Sequence, residues 1–253
     1  MSASVFDQVA QSYDRYRPGY PVQLYSDLIE LVGLTSRSKV LEVGVGTGKA
    51  TRGFAERGIP VLGLEPGPAM AAQARVKFEA FSHIEIATET FESFEVESGA
   101  LDLVYSAQAF HWVAPEVRFV KASQILKENG YLAIFANVPR RLETELGKAM
   151  DDCYRSCAPS HRATGAERRD AMESAFLASP LFKTLPIRRY SWLATYPADD
   201  YVALLMTYSD HYTLPEAERS ALCDGIRSVI SEHGGSLQLA YETRLLLGVK
   251  TVV

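Results

Sequence analysis

Two glutamates and three alternating glycines are the residues of this sequence whose types and spacing point most directly to chemistry. Glu42 is followed by Gly44, Gly46 and Gly48, and a second apolar run ends at Glu65. Glycines let the backbone turn tightly and let a ligand approach the main chain, and a helix start behind them offers unpaired N–H groups. In doubly wound sheets, an acidic residue about 20 positions after such a loop binds ribose hydroxyls. These residues therefore predict a pocket for a cofactor that contains a nucleoside.

The spacing of the glycines indicates which cofactor this is. A dinucleotide fingerprint, G-x-G-x-x-G, would need a third glycine where Lys49 stands. The pattern E-x-G-x-G-x-G instead resembles motif I of the class I S-adenosylmethionine (SAM)-dependent methyltransferases, and Leu-Gly-Leu-Glu-Pro resembles their acidic second-strand motif. The resemblance implies that SAM is the cofactor and that it is contacted by Glu42, Gly44, Gly46, Thr47, Gly48, Glu65 and Pro66. A nicotinamide-dependent oxidoreductase and a SAM-binding regulatory module without turnover remain as alternatives.

Further segments resemble the same family and imply further cofactor contacts. The N-terminal stretch Tyr-Asp-Arg-Tyr-Arg-Pro-Gly-Tyr-Pro is similar to a lid segment, in which Tyr13 and Arg17 would reach the methionine end of SAM. Met70 would lie against the adenine. After the third predicted strand, Thr90 stands where the family usually has an acid that binds the adenine amino group, and Phe91 follows it. A threonine hydroxyl can still accept a hydrogen bond.

The block Ala-Gln-Ala-Phe-His-Trp-Val, residues 107–113, resembles a segment of the trans-aconitate methyltransferase-like subgroup. By this resemblance Ser106, Ala107 and Gln108 would line the sulfonium region. His111 is the candidate catalytic base, because it follows the strand that would end at the sulfonium. It can also be a residue that shapes the pocket floor, or a purely structural one. The implied activity is methyl transfer to a small-molecule acceptor, which a carboxylate-bearing metabolite would fit.

The elements that must position these residues form an α/β pattern in which strands alternate with helices. Such an order predicts a mostly parallel sheet with right-handed crossovers. The expected fold is a doubly wound, Rossmann-like sheet of seven strands, with strand 7 antiparallel as the class I fold implies. The predicted strands are 39–43, 60–64, 84–87, 101–106, 131–137, 184–195 and 237–250, and a turn is expected at residues 127–130. The helix after the glycine loop is expected to run to about Arg57.

We interpret residues 1–253 as a single domain with lid helices in 1–34, a SAM-binding core in 35–137, and helical cap insertions in 139–180 and 197–235. The predicted helix 4–17 belongs to the lid. The caps would recognise the acceptor, and arginines there would suit an acidic molecule. Candidates for that contact are Arg140, Arg141, Arg162, Arg168, Arg169, Tyr190, Trp192, Tyr208 and His211.

Composition excludes several other classes of protein. The 253 residues are 47% hydrophobic and 23% charged with a net charge of −5, and no basic stripe indicates nucleic acid. No apolar stretch approaches the length of a membrane span, and the N-terminus lacks the features of a secretory signal. We therefore expect a cytoplasmic protein, as a monomer or homodimer. The three cysteines form no disulfide framework, and a metal site at Cys153, Cys157 and His161 is not expected because Pro159 interrupts the helix.

Overall fold

The computed structural model describes residue 7, residues 10–140 and residues 142–251. Arg141 and most of the predicted helix 4–17 before Ala10 lie outside the described residues. The strands are β1 (Val40–Val43), β2 (Val61–Leu64), β3 (Ile84–Ala87), β4 (Leu101–Ala107), β5 (Leu126–Pro139), β6 (Phe182–Thr184), β7 (Arg188–Pro197) and β8 (Ser236–Lys250). The helices are α1 (Ala10–Tyr16), α2 (Val22–Val32), α3 (Thr51–Ala55), α4 (Pro68–Phe78), α5 (Pro115–Ile125), α6 (Glu145–Cys157), α7 (Thr164–Leu177), α8 (Ala198–Leu205), α9 (Ser209–Tyr212) and α10 (Glu216–Glu232).

The chain divides into two compact units, which are described separately. The sheet unit comprises Pro18–Asn137, Arg168–Tyr190 and Thr243–Val253. The helical unit comprises Met1–Arg17, Val138–Glu167 and Ser191–Glu242. No helix in the described ranges combines the length and the apolar character that crossing a membrane requires.

The sheet has the strand order β3-β2-β1-β4-β5-β8-β6, and β7 pairs with β8. Its first five strands run parallel, with Leu41 opposite Leu62 on one side and opposite Val104 on the other. The side-chain bonds from Lys250 to the Leu126 carbonyl and from Thr243 to Asn137 show that β8 runs antiparallel to β5. The expected class, a mostly parallel Rossmann-like α/β sheet with an antiparallel last strand, is confirmed.

Alternation along the strands sends apolar side chains into a separate core on each face of this sheet. Leu41 and Val43 pack with α5 and the C-terminal half of α7, through residues such as Phe119 and Phe176. Val40 belongs to the opposite core, which α2 and α3 cover. A strand that is covered on both faces must be apolar throughout, which is why the central strands could be predicted from apolar runs in the sequence. Glu42 is the exception in β1, and it is fully buried.

Three details of the prediction were wrong. The expected sixth strand at 184–195 is two strands, β6 and β7, because Pro186 between them has no N–H to donate to a ladder; the sheet therefore has eight strands instead of seven. The expected turn at residues 127–130 lies within β5, where the pairing with β4 shifts register and Asn129 has a left-handed φ of 62°. The helix after the glycine loop is only the five residues of α3 and ends at Ala55.

The helical unit has its own core. Helices α6, α8 and α10 contribute Met150, Leu204, Leu222, Ile226 and Ile230 to it. Gly225 of α10 allows a close approach to α6, since a Cβ atom there would lie 2.5 Å from the Cys153 sulfur. Trp192 and Tyr241, from the parts of β7 and β8 in this unit, stack with ring centroids 4.5 Å apart. The prediction of helices on either side of Pro159 is confirmed, because α6 ends at Cys157 and α7 begins at Thr164. Their role as caps over a pocket stays a prediction.

Candidate functional site

The glycine loop begins where β1 ends, and all three of its glycines have left-handed backbones. Their φ angles are 76° at Gly44, 59° at Gly46 and 83° at Gly48. L side chains rarely adopt this conformation, and here they would also lack space. A Cβ atom on Gly44 would lie 2.3 Å from the Ala109 Cβ, and one on Gly48 would lie 2.3 Å from the Phe78 ring. The loop therefore packs closely against Ala109, just after β4, and against Phe78 of α4.

Glu65 ties this loop to the start of α4. One carboxylate oxygen accepts a hydrogen bond from the Gly46 N–H at 2.8 Å, and the other accepts one from the Gly67 N–H at 2.8 Å. The two predicted features, the glycine loop and the acid after β2, are brought together. The short α3 begins three residues after Gly48, so a helix N-terminus contributes less than the sequence led us to expect.

Glu42 lies below the loop in a fully buried position on the face that α2 and α3 cover. Its Oε2 accepts hydrogen bonds from the Thr51 and Tyr105 hydroxyls, both at 2.6 Å. Its Oε1 is buried and has no hydrogen-bond partner among the described residues. The pKa of Glu42 is raised to about 8, because burial, with a smaller contribution from the charge of Glu65, outweighs the two hydroxyl bonds that lower it. At neutral pH Glu42 is therefore a protonated, neutral acid.

The end of β4 lies against the glycine loop. The Ser106 hydroxyl is buried and donates to the Val43 carbonyl at 2.7 Å, so it serves the contact between β4 and β1. Ala107 and Gln108 are half-buried. Gln108 has a φ of 57°, a left-handed conformation that is uncommon outside glycine and that concentrates at ligand sites. A single 3₁₀ turn, Phe110–Trp112, follows and carries His111.

The residues expected near the adenine have structural partners of their own. Met70 is buried in the first turn of α4, and Pro66 is exposed. The Thr90 hydroxyl accepts from the Ser93 N–H at 3.1 Å, which caps the turn that follows β3. The Phe91 ring is buried in the core beside Phe110. A contact from positions 90 and 91 to adenine would thus come from backbone groups, and it stays a prediction.

His111 is surrounded by positive charge. Burial, followed in order of effect by the charges of Arg168, Arg169 and Arg118, lowers the pKa of its imidazole to about 4. Arg168 lies over the Trp112 ring, with its guanidinium carbon 4.4 Å from the centroid. The rings of Phe119 and Phe176 stack with their centroids 5.6 Å apart, and this contact packs α7 against α5. His111 is therefore a neutral imidazole at pH 7 and a weaker base than an exposed histidine.

Arg118 is the functional candidate that the sequence did not reveal. It is only 8% exposed, its Nε is buried without a hydrogen-bond partner, and no ion pair is formed with it among the described residues. Burial lowers the pKa of its guanidinium below the usual range, and Glu116 opposes this shift. A buried N–H donor without a hydrogen-bond partner is unfavourable unless a ligand satisfies it. In the sequence, Arg118 is a charged residue on an amphipathic helix, and no local pattern distinguishes it from a solvent-exposed arginine.

Tyr13 and Arg17 belong to the helical unit. Arg17 donates from Nε to the Thr207 hydroxyl at 2.8 Å and from Nη2 to the Thr207 carbonyl at 2.9 Å. Its guanidinium carbon lies 3.7 Å from the centroid of the Tyr208 ring and 5.1 Å from that of Tyr13. Two of its three guanidinium nitrogens therefore already have hydrogen-bond partners within this unit. Its contact with the carboxylate of SAM stays a prediction.

Several of the residues expected to recognise the acceptor are bonded to neighbouring side chains or backbone groups. Arg140 pairs with Glu242, and the Tyr190 hydroxyl donates to Asp27. Arg162 donates to backbone carbonyls of residues 159 and 161, Trp192 stacks on Tyr241, and His211 bonds to Tyr154. Arg168 and Arg169 are the two candidates that lie beside His111. Arg141 lies outside the described residues.

Fold and site together define a Rossmann-like α/β protein with a glycine loop and acidic residues at the ends of its parallel strands. Comparison with known proteins gives the family. The family model described as "Methyltransferase domain" matches residues 41–134. An uncharacterized methyltransferase of Mycobacterium bovis (strain ATCC BAA-935 / AF2122/97) is 26% identical over 231 residues, which cover 90% of this chain and 86% of that protein. An uncharacterized methyltransferase of Geobacillus sp. (strain WCH70) is 31% identical over 157 residues, which cover 58% of this chain and 72% of that protein.

Solved structures agree in fold. A protein from Anaeromyxobacter dehalogenans, provisionally assigned as a type II methyltransferase, has a TM-score of 0.69 at 21% identity and covers 92% of this chain and 98% of its own. The geranyl diphosphate C-methyltransferase of Streptomyces coelicolor, solved with Mg²⁺, geranyl diphosphate and S-adenosyl-L-homocysteine, has a TM-score of 0.50 at 14% identity and covers 90% of this chain and 77% of its own. The chain belongs to the class I SAM-dependent methyltransferase family, and it is a methyltransferase.

Proposed function

We propose that this protein transfers a methyl group from SAM to a small acceptor that carries a carboxylate. One observation supports this most: the glycine loop, fastened to Glu65, lies against the strand end that leads into His111, and three arginines lower the pKa of that histidine. The loop would bind the donor. The arginines would bind the acceptor next to it.

The residues of the loop fit SAM. A side chain on Gly44 or Gly48 would collide with neighbouring residues. Because these positions carry no side chain, a ligand can approach the backbone of the loop closely. Glu65, which already fastens the loop through the Gly46 and Gly67 N–H groups, would also bind the ribose hydroxyls, and the backbone at Gly46 and Thr47 would border the same ligand. SAM supplies a methyl group that is already activated on a sulfonium. S-adenosyl-L-homocysteine bound to the Streptomyces coelicolor enzyme supports this donor.

A carboxylate acceptor agrees with two properties of the site. The buried Arg118 Nε has no hydrogen-bond partner among the described residues, and an anion would satisfy this donor. His111 has a pKa of about 4, which makes it an inefficient general base at neutral pH. A carboxylate is deprotonated already and needs no base. We therefore infer that His111 positions the acceptor and that the arginines hold its charge.

Positioning is then the main contribution of the chain to the rate. Holding acceptor and donor in line can contribute on the order of 7–11 kcal/mol in ideal intramolecular cases. Arg118 and Arg168 would fix the carboxylate, and the apolar residues Phe110 and Trp112 would limit access of water. No metal is required for this step.

Donor binding is tested by calorimetry with S-adenosylhomocysteine and NAD. We expect one molecule of S-adenosylhomocysteine per chain and no response to NAD. Glu65→Ala should weaken binding at least 10-fold, because it removes the ribose acceptor and releases the Gly46 and Gly67 N–H groups. Glu56→Ala, at an exposed acid just after α3, should bind as wild type does. Binding of NAD alone would overturn the proposal.

Acceptor chemistry is tested with SAM labelled in its methyl group and a panel of small carboxylic acids. A methyl ester releases volatile methanol in alkali, whereas N-, S- and C-methyl products do not. We expect alkali-labile product, and a KM for the acid that rises at least 10-fold in Arg118→Met. The exposed Arg37→Met is the matched control and should leave the KM unchanged. Stable product, or an unchanged KM in Arg118→Met, would contradict a carboxylate acceptor. Turnover with no acceptor of any class would favour a binding module.

A further inference from the structure

His161, Asp210 and His211 form a cluster in the helical unit, which we call the His–Asp cluster. His161 lies in the segment between α6 and α7, and the other two residues lie on α9. Asp210 Oδ1 is 2.8 Å from His211 Nδ1, and Asp210 Oδ2 is 3.8 Å from His161 Nε2. The two imidazole rings are 4.5 Å apart between centroids. One donor atom from each of the three side chains lies within 4.8 Å of the others.

One nitrogen of the cluster lacks a partner. His161 Nε2 is buried and makes no hydrogen bond to any described residue, although it faces the Asp210 carboxylate across 3.8 Å. A buried polar atom without a partner costs roughly 1–3 kcal/mol. The His161 side chain is 18% exposed and that of Asp210 is 16% exposed, so the cluster lies just beneath the surface. The cluster therefore contains one buried nitrogen, His161 Nε2, that faces Asp210 and has no hydrogen-bond partner among the described residues.

The cluster also has the donor types of a metal site. Imidazole nitrogens and carboxylate oxygens both bind zinc, the imidazole as a neutral ring and the carboxylate as an anion.

Tyr154 supplies the outer contact that metal-binding histidines usually have. Its hydroxyl oxygen lies 2.7 Å from His211 Nε2. If Nδ1 gives its lone pair to a metal ion, the ring proton must reside on Nε2, and the Nε2–H group can donate a hydrogen bond to the Tyr154 oxygen. Such second partners fix the tautomer and the orientation of the ring.

We propose that the His–Asp cluster binds a divalent transition-metal ion, with zinc as the best fit. Two imidazole nitrogens and one carboxylate oxygen make a borderline N/O donor set, which zinc accepts with a fourth position left for water. In a tetrahedral zinc site with bonds of about 2.0–2.1 Å, donor atoms lie about 3.4 Å apart. The observed separations of 2.8 and 3.8 Å bracket this value, so small rotations of the side chains complete the geometry.

The ion would join two parts of the helical unit that are distant in sequence. His161 holds the segment after α6, and Asp210 and His211 hold the short helix α9, which has only four residues. A four-residue helix contributes little stability of its own. Coordination would therefore stabilise α9 and the segment at residue 161 together, and the stability of the protein would depend on the metal. Cys153 and Cys157, whose sulfurs are 3.9 Å apart, are not needed for this site.

The test uses the full chain, freed of any affinity tag, stripped with a chelator and dialysed. Zn²⁺ is titrated in competition with a chromophoric chelator, and Co²⁺ is added separately to record its visible absorption. We expect one Zn²⁺ per chain, a higher melting temperature with Zn²⁺, and the absorption bands of four- or five-coordinate Co²⁺. His161→Ala should weaken Zn²⁺ binding by about 100-fold and Tyr154→Phe by about 10-fold, in line with the loss of a ligand and of an outer partner.

His233→Ala is the matched control, because His233 is exposed at the end of α10 in the same unit. It should bind Zn²⁺ as wild type does. Substoichiometric binding, equal losses in His161→Ala and His233→Ala, or a Co²⁺ spectrum identical to that of the free ion would overturn the proposal. The Co²⁺ spectrum is recorded on wild-type protein, so the test holds even if a variant fails to fold. Binding of S-adenosylhomocysteine is independent of all these outcomes.

Discussion

Glu42→Gln gives the sharpest test of the physical account of the glycine loop. The carboxyl of Glu42 is fully buried, bonds to Thr51 and Tyr105 through one oxygen, and has a pKa of about 8 where the ordinary value is 4.5. Glutamine has the same shape and does not titrate. The substitution therefore isolates the free energy that depends on the charge of this one group.

The sign follows from which state holds the proton. The folded protein keeps the proton of Glu42 up to about pH 8, whereas the unfolded chain loses it near pH 4.5. The contribution of Glu42 to stability is therefore complete below pH 4.5, declines as pH rises, and is lost once pH passes about 8. At roughly 1.4 kcal/mol per pKa unit, the loss is roughly 5 kcal/mol in total, of which roughly 4 kcal/mol falls between pH 5 and pH 9.

Urea denaturation of wild type and Glu42→Gln at pH 5, 7 and 9 measures this difference. We expect the stability of wild type relative to the variant to fall by roughly 4 kcal/mol across the series, since all other titrating groups are shared. Glu56→Gln, at an exposed acid, should follow the pH dependence of wild type. Parallel curves for wild type and Glu42→Gln would refute the buried, protonated state of Glu42.

Three further changes test the loop, the strands and the core by denaturation, and the first also by calorimetry. Gly44→Ala should weaken S-adenosylhomocysteine binding at least 10-fold and lower stability by about 2 kcal/mol or more, since its Cβ would lie 2.3 Å from Ala109, while Gly19→Ala, in open space, should have neither effect. Asn129→Ala should lower stability by about 1 kcal/mol because φ is 62° there; an equal loss in Asn129→Gly would point to the side chain instead of the backbone. Phe176→Ala should cost about 3–5 kcal/mol, as expected for a fully buried ring, and a loss under 1 kcal/mol would contradict the packing of α7 on α5.

Much of the sheet could be read from the sequence because its signals are local. The apolar runs of β1, β2 and β4 are recognisable since strands covered on both faces need no polar side chains. The glycines of the loop were placed correctly because only glycine tolerates both φ near 80° and neighbours within 2.3 Å of a Cβ. Pro186, which divides the predicted sixth strand, was equally visible, and its consequence for the ladder could have been drawn from the sequence.

Less of the candidate acceptor site could be predicted from the sequence. Arg118 lies on an amphipathic helix, where most charged residues face solvent, and its burial depends on the packing of α7 against α5. His111 could be named from its position after β4, but its pKa of about 4 depends on arginines from two other helices. The protonation state of Glu42 could not be predicted for the same reason, because it depends on burial under α2 and α3, while its contact with the cofactor stays a prediction.

By itself the sequence determined the class of fold, the place of the glycine loop and the acid that partners it, because these depend on periodicity and on residue spacing within about 25 positions. Only the tertiary structure decided which polar side chains are buried next to one another. His161 and His211 face each other through a contact between segments far apart in the chain. Arg118 lies near His111, and its buried Nε has no hydrogen-bond partner among the described residues. Burial and electrostatic potential are sums over all neighbours in space, and a linear pattern records only the neighbours along the chain.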